Sequence, residues 1–285
     1  MRQVAKGMVY KTSRRELVLG ERTLIMGILN VTPDSFSDGG RLASPAEAVA
    51  EGERLIAAGA DLLDVGGEST RPGSDPVTPE EEWQRVIPVI RALAKKIDVP
   101  ISIDTTKASV AREAIASGAE IINDVSAMRF DAEMPQVAAA TGAGIILMHM
   151  RGLPKDMQTG SLYYSDLIED ITVFLRERMA AALAAGVAKE SIMVDPGIGF
   201  GKTAADNMRI LKCLRAFQVL ERPILTGMSR KAFIGKVTGG EPRERMEGTA
   251  AALTVAIMNG SDLVRVHDVA AMKKVAAMTD AIIRA

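Results

Sequence analysis

The chain has 285 residues, 47% of them apolar and only 4% aromatic, and a formal net charge of −1. Near-neutral charge excludes a basic field able to hold a nucleic-acid backbone, so an anionic ligand has to be bound by local groups. The length suits one large barrel domain, which typically takes about 250 residues.

Residues 1–22 are polar and mixed. Met8-Val9-Tyr10 and Leu17-Val18-Leu19 flank Thr12-Ser13-Arg14-Arg15. This predicts a short β-hairpin, placed to plug the bottom of a barrel. After it, eight short apolar runs end abruptly in polar residues. Thr23–Leu29 ends at Asn30, and Asp61–Val65 precedes Gly66-Gly67-Glu68. Val99–Ile103 ends at Asp104, and Glu120–Ile122 ends at Asn123-Asp124. Gly144–Met148 runs into His149, and Ser191–Val194 into Asp195. Pro223–Met228 leads to Ser229-Arg230-Lys231, and Asp262–Val264 to Arg265 and His267.

Helical stretches fill the gaps. Ser44-Pro45 and Thr78-Pro79 are helix starts with proline at the first helical position. Glu80, Glu81 and Glu82 suit a helix N-terminus. Further helices are expected near 107–117, 133–141, 166–185, 205–217, 244–258 and 268–283. Gly59, Gly118, Gly142, Gly186 and Gly260 close helices. The alternation predicts a closed (β/α)8 barrel of the α/β class, a single domain over 1–285, whose parallel strands are buried on both faces. Active sites of such barrels sit at the C-terminal strand ends, and here all eight ends carry polar chemistry.

Two connections are long for this architecture, 31–44 and 66–78. The first holds Asn30-Val31-Thr32-Pro33-Asp34-Ser35-Phe36-Ser37-Asp38, rich in hydroxyls and carboxylates. The second holds Glu68-Ser69-Thr70-Arg71-Pro72-Gly73. An ordinary polar loop is the plain reading, and position at the catalytic end favours function. Arg265, His267, Arg230 and Lys231 follow the last two runs, where barrels often bind phosphate. Asp104, Asn123 and Asp195 are costly to bury unpaired. They pair with internal cations or meet a flat heterocycle with an amidine-like edge. A metal cage of these three is disfavoured by the amide and the spacing. Asp195–Thr203 lacks phosphate-loop spacing, so its glycines shape a turn with Phe200 at the rim. His149 reads as a structural histidine. Cys213, the sole cysteine, reads as a small buried apolar residue and excludes an intrachain disulfide. No stretch resembles a signal peptide or spans a bilayer, so a soluble cytoplasmic protein is expected.

Asn30–Gly40, Asp64–Ser74, Ser102–Thr105, Asn123–Ser126, Met148–Gly152, Asp195–Lys202, Gly227–Lys231 and Arg265–Asp268 together resemble the bacterial dihydropteroate synthases, over about residues 24–283. Thr159–Tyr164 departs from the pattern, where the family commonly has a proline. The resemblance implies condensation of 6-hydroxymethyl-7,8-dihydropterin diphosphate with 4-aminobenzoate, giving 7,8-dihydropteroate and pyrophosphate. It implies that Asp104, Asn123, Asp195, Gly227 and Lys231 hold the pterin, with Met148 against its face. Asn30, Thr70, Arg71, Arg265 and His267 then hold the diphosphate, with Mg2+ near Asn30. Phe36, Thr70, Arg71, Pro72, Phe200 and Ser229 line the 4-aminobenzoate pocket, and Asp38 stabilises a cationic methylene. Asn30, Asp38, Lys231, Arg265 and His267 are the expected catalytic group. A homodimer through outer helices is implied, with no nucleic acid and no membrane as partner. The alternatives are a methyltetrahydrofolate:corrinoid methyltransferase-like protein and a catalytically silent pterin binder. The two long loops show few anchors of their own, so 4-aminobenzoate is expected to bind well only after the pterin diphosphate.

Overall fold

The computed structural model describes residues 7–32, 44–70, 73–153, 155–157 and 162–285. The hairpin is β1 (Met8–Lys11) paired antiparallel with β2 (Glu16–Leu19), in the register Met8↔Leu19 to Lys11↔Glu16. Eight parallel strands follow in order. They are β3 (Leu24–Asn30), β4 (Leu62–Gly66), β5 (Ile101–Asp104), β6 (Ile121–Asp124), β7 (Gly144–Met148), β8 (Ile192–Asp195), β9 (Leu225–Thr226) and β10 (Leu263–Val266). The sheet order is β8-β7-β6-β5-β4-β3-β10-β9, and a parallel bridge from Val194 to Ile224 joins its two edges. The expected α/β barrel is therefore present, closed as the burial of both strand faces requires.

The strands supply residues to two cores. In β3, Ile25 and Leu29 pack outward with the helices, while Leu24 and Met26 face the barrel interior. The hairpin meets that interior layer. Tyr10 and Leu19 are fully buried among Leu62, Ile121, Ile146, Met193, Leu225 and Leu263, and each such burial is worth about 1.5–3 kcal/mol. Gly144 makes room for the plug, because a Cβ there would lie 2.6 Å from the Tyr10 hydroxyl. Thr12 and Arg15 add bonds to Glu120 just before β6, at 2.7 and 3.0 Å.

The helices are α1 (Pro45–Ala57), α2 (Pro79–Leu93), α3 (Ala108–Ser117), α4 (Met134–Thr141), α5 (Leu167–Ala184), α6 (Ala204–Cys213), α7 (Ala232–Thr238), α8 (Met246–Met258) and α9 (Val269–Arg284). Both predicted starts are capped as expected. Ser44 accepts from the Glu47 amide, and Thr78 forms a capping box with Glu81. Three details differ from the sequence reading. The helix expected over 205–217 is α-helical only to Cys213 and continues as a 3-10 segment, Leu214–Leu220. The short α7 was not foreseen; it contains Gly235 and has little periodicity to reveal it. Cys213 itself is half-buried rather than buried.

Candidate active site

The strand ends of β4, β5, β6 and β10 build a polar floor inside the barrel mouth. Arg265 on β10 reaches across it. Its Nε donates to Asp64 Oδ2 at 2.6 Å and its Nη2 to Asp104 Oδ2 at 2.9 Å. Asn123 Nδ2 donates to the same Asp64 oxygen at 3.1 Å. The second oxygens of Asp64 and Asp104 are buried without a hydrogen-bond partner. Burial, with Asp64, Glu82 and Asp124 nearby, lifts the Asp104 carboxyl to about 8 even though Arg265 pulls it down. Asp195, at the end of β8, is also raised by burial, and its Oδ1 accepts from the Gly197 amide at 2.7 Å. Of the three residues left open, Asp104 gives one oxygen to an internal cation, Arg265, and keeps acceptor capacity on the other.

Lys231 reaches this floor from the loop after β9. Its Nζ donates to the Ile198 carbonyl and lies 4.3 Å from the centre of the Phe200 ring. Burial lowers its pKa to about 8, against the pull of Asp195. Gly197, Gly199 and Gly201 all have positive φ, and a Cβ on Gly199 would come within 2.8 Å of Lys231 Cδ. The glycines thus shape the turn that carries Phe200. Beneath it, buried Lys202 donates to the carbonyls of Gly197 and Phe200 at 2.9 and 3.0 Å and sits 2.8 Å from His149 Nδ1. Burial and Lys202 push His149 down to about 2, which keeps it neutral as an acceptor. That is a structural histidine. Met148 joins Val125, Met150, Met157 and Phe200 in a small apolar wall.

At the rim, His267 Nδ1 lies 2.9 Å from Ser229 Oγ, and the His267 amide donates to the same oxygen. Arg230, at φ 58°, is turned away to pair with Asp268 at 2.9 and 2.5 Å. It is therefore not part of an anion site with Lys231. Gly227 lies alongside Arg265, and no side chain intervenes between them. Asn30 ends β3 opposite Gly66, and a Cβ on Gly66 would be 3.7 Å from Asn30 Oδ1 and 3.6 Å from Asp104 Cβ. Asn30 therefore borders the floor. Among the described residues no group of three or more His, Cys, Asp or Glu side chains could hold a metal. A lone amide oxygen still fits Mg2+, which keeps several waters and takes its other ligands from substrate phosphates.

Phe36, Asp38, Arg71 and Pro72 lie outside the described residues, as do residues 159–161 of the departing segment. Thr70 is half-buried at the described end of the second loop. The base of that loop is anchored, contrary to the sequence reading. Lys107 pairs with Glu68 and with buried Glu82 (2.6 Å to Glu82), Arg85 donates to the Gly67 carbonyl at 2.8 Å, and Ser74 donates to the Ser69 carbonyl at 2.5 Å. Sequence reasoning read Asp64 as strand and missed it. The signal was a carboxylate inside an otherwise apolar run.

The chain matches the family model for pterin binding enzymes over residues 26–267. It is 47% identical over 266 residues to the dihydropteroate synthase of Synechocystis sp., covering 93% of this chain and 92% of that one. The Yersinia pestis dihydropteroate synthase, solved with a sulfonamide drug, superposes with a TM-score of 0.93 at 42% identity, covering 98% of this chain and 100% of that one. The Xanthomonas albilineans enzyme, solved with 4-aminobenzoic acid, gives 0.90 at 44% identity, covering 97% and 98%.

Proposed function

This chain belongs to the pterin-binding enzymes, among the dihydropteroate synthases, and on that premise we propose how its own residues carry the reaction. The enzyme joins 6-hydroxymethyl-7,8-dihydropterin diphosphate to 4-aminobenzoate, forming 7,8-dihydropteroate and pyrophosphate. The corrinoid methyltransferase reading is not favoured by these relatives. The observation that carries the proposal is the bridged floor, in which Arg265 spans Asp64 and Asp104 next to Asn123.

Asp104, Asn123 and Asp195 accept from the amino and ring N–H edge of the pterin. Lys231 approaches the ring carbonyl side, with Gly227 leaving room and Met148 against one face. Burial of these groups makes each hydrogen bond stronger than in water. Arg265, His267, Asn30 and Thr70 face the diphosphate, and Arg71 is assigned the same role. The two bonds of Arg265 use Nε and Nη2, so Nη1 is the edge that turns to an anion. Asn30 would hold Mg2+, whose charge would neutralise the diphosphate oxygens.

The reaction is dissociative. The bond from the methylene carbon to the diphosphate oxygen breaks, and its electron pair leaves with pyrophosphate. Electron release from the dihydropterin ring nitrogens offsets the positive charge left on carbon, a charge that Asp38 is assigned to stabilise. Arg265 and His267 stabilise the charge that grows on the leaving group. The arylamine lone pair then forms the new C–N bond, and the surplus proton leaves the nitrogen. An aniline is neutral at pH 7, so no strong base is needed. Phe36, Thr70, Arg71, Pro72, Phe200 and Ser229 hold the ring of 4-aminobenzoate for that attack.

Pyrophosphate release on mixing the protein with both substrates and Mg2+ tests the reading. Release that needs 4-aminobenzoate is expected. Release that ignores it, or none at all, overturns the assignment. We propose a single domain over 1–285, acting in the cytoplasm as a homodimer. No helix among the described residues is long and apolar enough to cross a membrane. Met208, Val237, Met246, Val255 and Met258 are exposed along α6, α7 and α8, an apolar outer face suited to self-association.

A further inference from the structure

We infer that Asp64 is a positioning residue for the pterin floor: it fixes which end of the Asn123 amide and which edge of Arg265 meet the ligand. The inference rests on the pterin-binding reading above. Asp64 sits in mid-β4, in register with Ile28 of β3 and Ser102 of β5, and its side chain has no exposure. It lies beneath the strand ends and is walled off from a ligand at the mouth.

Its influence passes through two neighbours that share one of its oxygens. A carboxamide has a donor end and an acceptor end. With Nδ2 of Asn123 anchored on Asp64, the oxygen is the end left for a ligand, and an oxygen is what a heterocyclic N–H requires. A guanidinium has a planar fork. Held at Nε by Asp64 and at Nη2 by Asp104, it cannot swing, and Nη1 is the group left over for a ligand. Stability alone is a poor account of Asp64. Buried ion pairs are often replaceable by apolar groups at no loss, and a carboxylate kept only for the fold would have both oxygens satisfied. Here the second oxygen is buried without a partner.

The test is calorimetric titration of 6-hydroxymethyl-7,8-dihydropterin, which lacks the diphosphate, into three proteins: wild type, Asp64→Asn, and the reciprocal exchange Asp64→Asn with Asn123→Asp. The single variant should lose roughly 10- to 100-fold in pterin affinity, the scale of a charge-assisted bond. KM for 4-aminobenzoate at saturating pterin diphosphate should not move. In the exchange, an amide at position 64 donates to a carboxylate at 123, whose other oxygen still accepts from the ligand. Affinity should then return to within about fivefold of wild type, since the floor's charge and its acceptor are both restored. A folded single variant that binds like wild type overturns the inference, and so does an exchange no better than the single variant. If Asp64→Asn fails to fold, the exchange alone decides: folded with strong binding supports the inference, folded with binding lost overturns it. Failure of the wild type to bind the pterin is the different result that removes the premise.

Discussion

Two carboxyl pairs in this barrel are each bridged by a single cation, and the contrast between them separates ligand chemistry from loop anchoring. Arg265 spans Asp64 and Asp104, all three on strands of one closed sheet. Lys107, the residue before α3, spans Glu68 on the second loop and Glu82 on α2. The first bridge uses a planar guanidinium with its geometry fixed by the sheet. The second uses a flexible ammonium stem and ties a loop to a helix. Both leave a buried carboxyl oxygen without a partner. In the floor those oxygens belong to Asp64 and Asp104, the two carboxyls that Arg265 holds. At the clamp the oxygen belongs to Glu82, packed beneath Gly67, where a Cβ would meet Val86 at 2.7 Å and Glu82 Cγ at 3.0 Å. On the proposed reading the floor selects a ligand, and the clamp sets where the wall above it begins.

Breaking the first bridge should have the largest effect. Arg265→Ala leaves Asp64 buried without its cation and Asp104 without its donor, at a stability loss of about 3–5 kcal/mol. It also removes charge stabilisation of the leaving pyrophosphate, so kcat should fall by about 100- to 1000-fold in the protein that remains folded. Because the guanidinium engages the pterin floor, affinity for a pterin without diphosphate should drop along with affinity for pyrophosphate. The sequence alone assigned Arg265 to the diphosphate. Urea unfolding and titration of both ligands check it. Loss of pyrophosphate affinity alone would show that the contacts to Asp64 and Asp104 are incidental.

Breaking the second bridge should be milder and directed elsewhere. Lys107→Met keeps the stem volume and removes the charge. Burial already raises the Glu82 carboxyl despite Lys107, so Glu82 can take a proton and limit the loss to about 1–3 kcal/mol. The second loop would lose its tie at Glu68, just before Thr70. KM for 4-aminobenzoate should rise by about 3- to 10-fold, because a loop that must be ordered on binding costs affinity. Pterin affinity should stay as it was. A rise confined to the pterin would mean that the clamp acts on the floor after all.

The contrast also marks what could be read from the chain alone. The barrel was legible because parallel strands buried on both faces leave unbroken apolar runs, and their polar ends named Asn30, Asp104, Asn123, Asp195, Arg265 and His267. Asp64 was not, since it sits within a run and period cannot say that its side chain faces inward. The partners were illegible too: Asp64 and Arg265 lie far apart in sequence and meet only when the sheet closes. The anchors of the second loop were hidden for the same reason. Glu82 looked like one of three acids favouring a helix start, and only packing against Lys107 and Gly67 distinguishes it from Glu80 and Glu81. The short α7 was missed because glycines at 235, 239 and 240 read as loop.

The last expected effect lies in how stability follows pH rather than in its value at one pH, and it compares the two pairs directly. Burial raises Asp104 to about 8, with Asp64, Glu82 and Asp124 adding to burial and Arg265 opposing it. An unfolded aspartate loses its proton near pH 3.9. Between about pH 4 and about pH 8 the folded protein therefore holds a proton at Asp104 that the unfolded chain has released. The slope of unfolding free energy with pH is negative there: the contribution is fully present below about pH 4 and is lost as pH rises through about 8. Lys202 and Lys231 act oppositely and later. Burial lowers them to about 7 and about 8, so the folded state releases their protons before the unfolded state does, and their contribution grows with pH above that range. Asp104→Asn should remove only the first component. The variant's profile should fall less steeply than wild type between about pH 4 and about pH 8 and run parallel to it above. Glu82→Gln should change the slope with the same sign, because burial raises that carboxyl as well. Urea midpoints taken across this range decide the matter, and profiles parallel throughout would mean that the floor carboxyl is ionised in the folded protein.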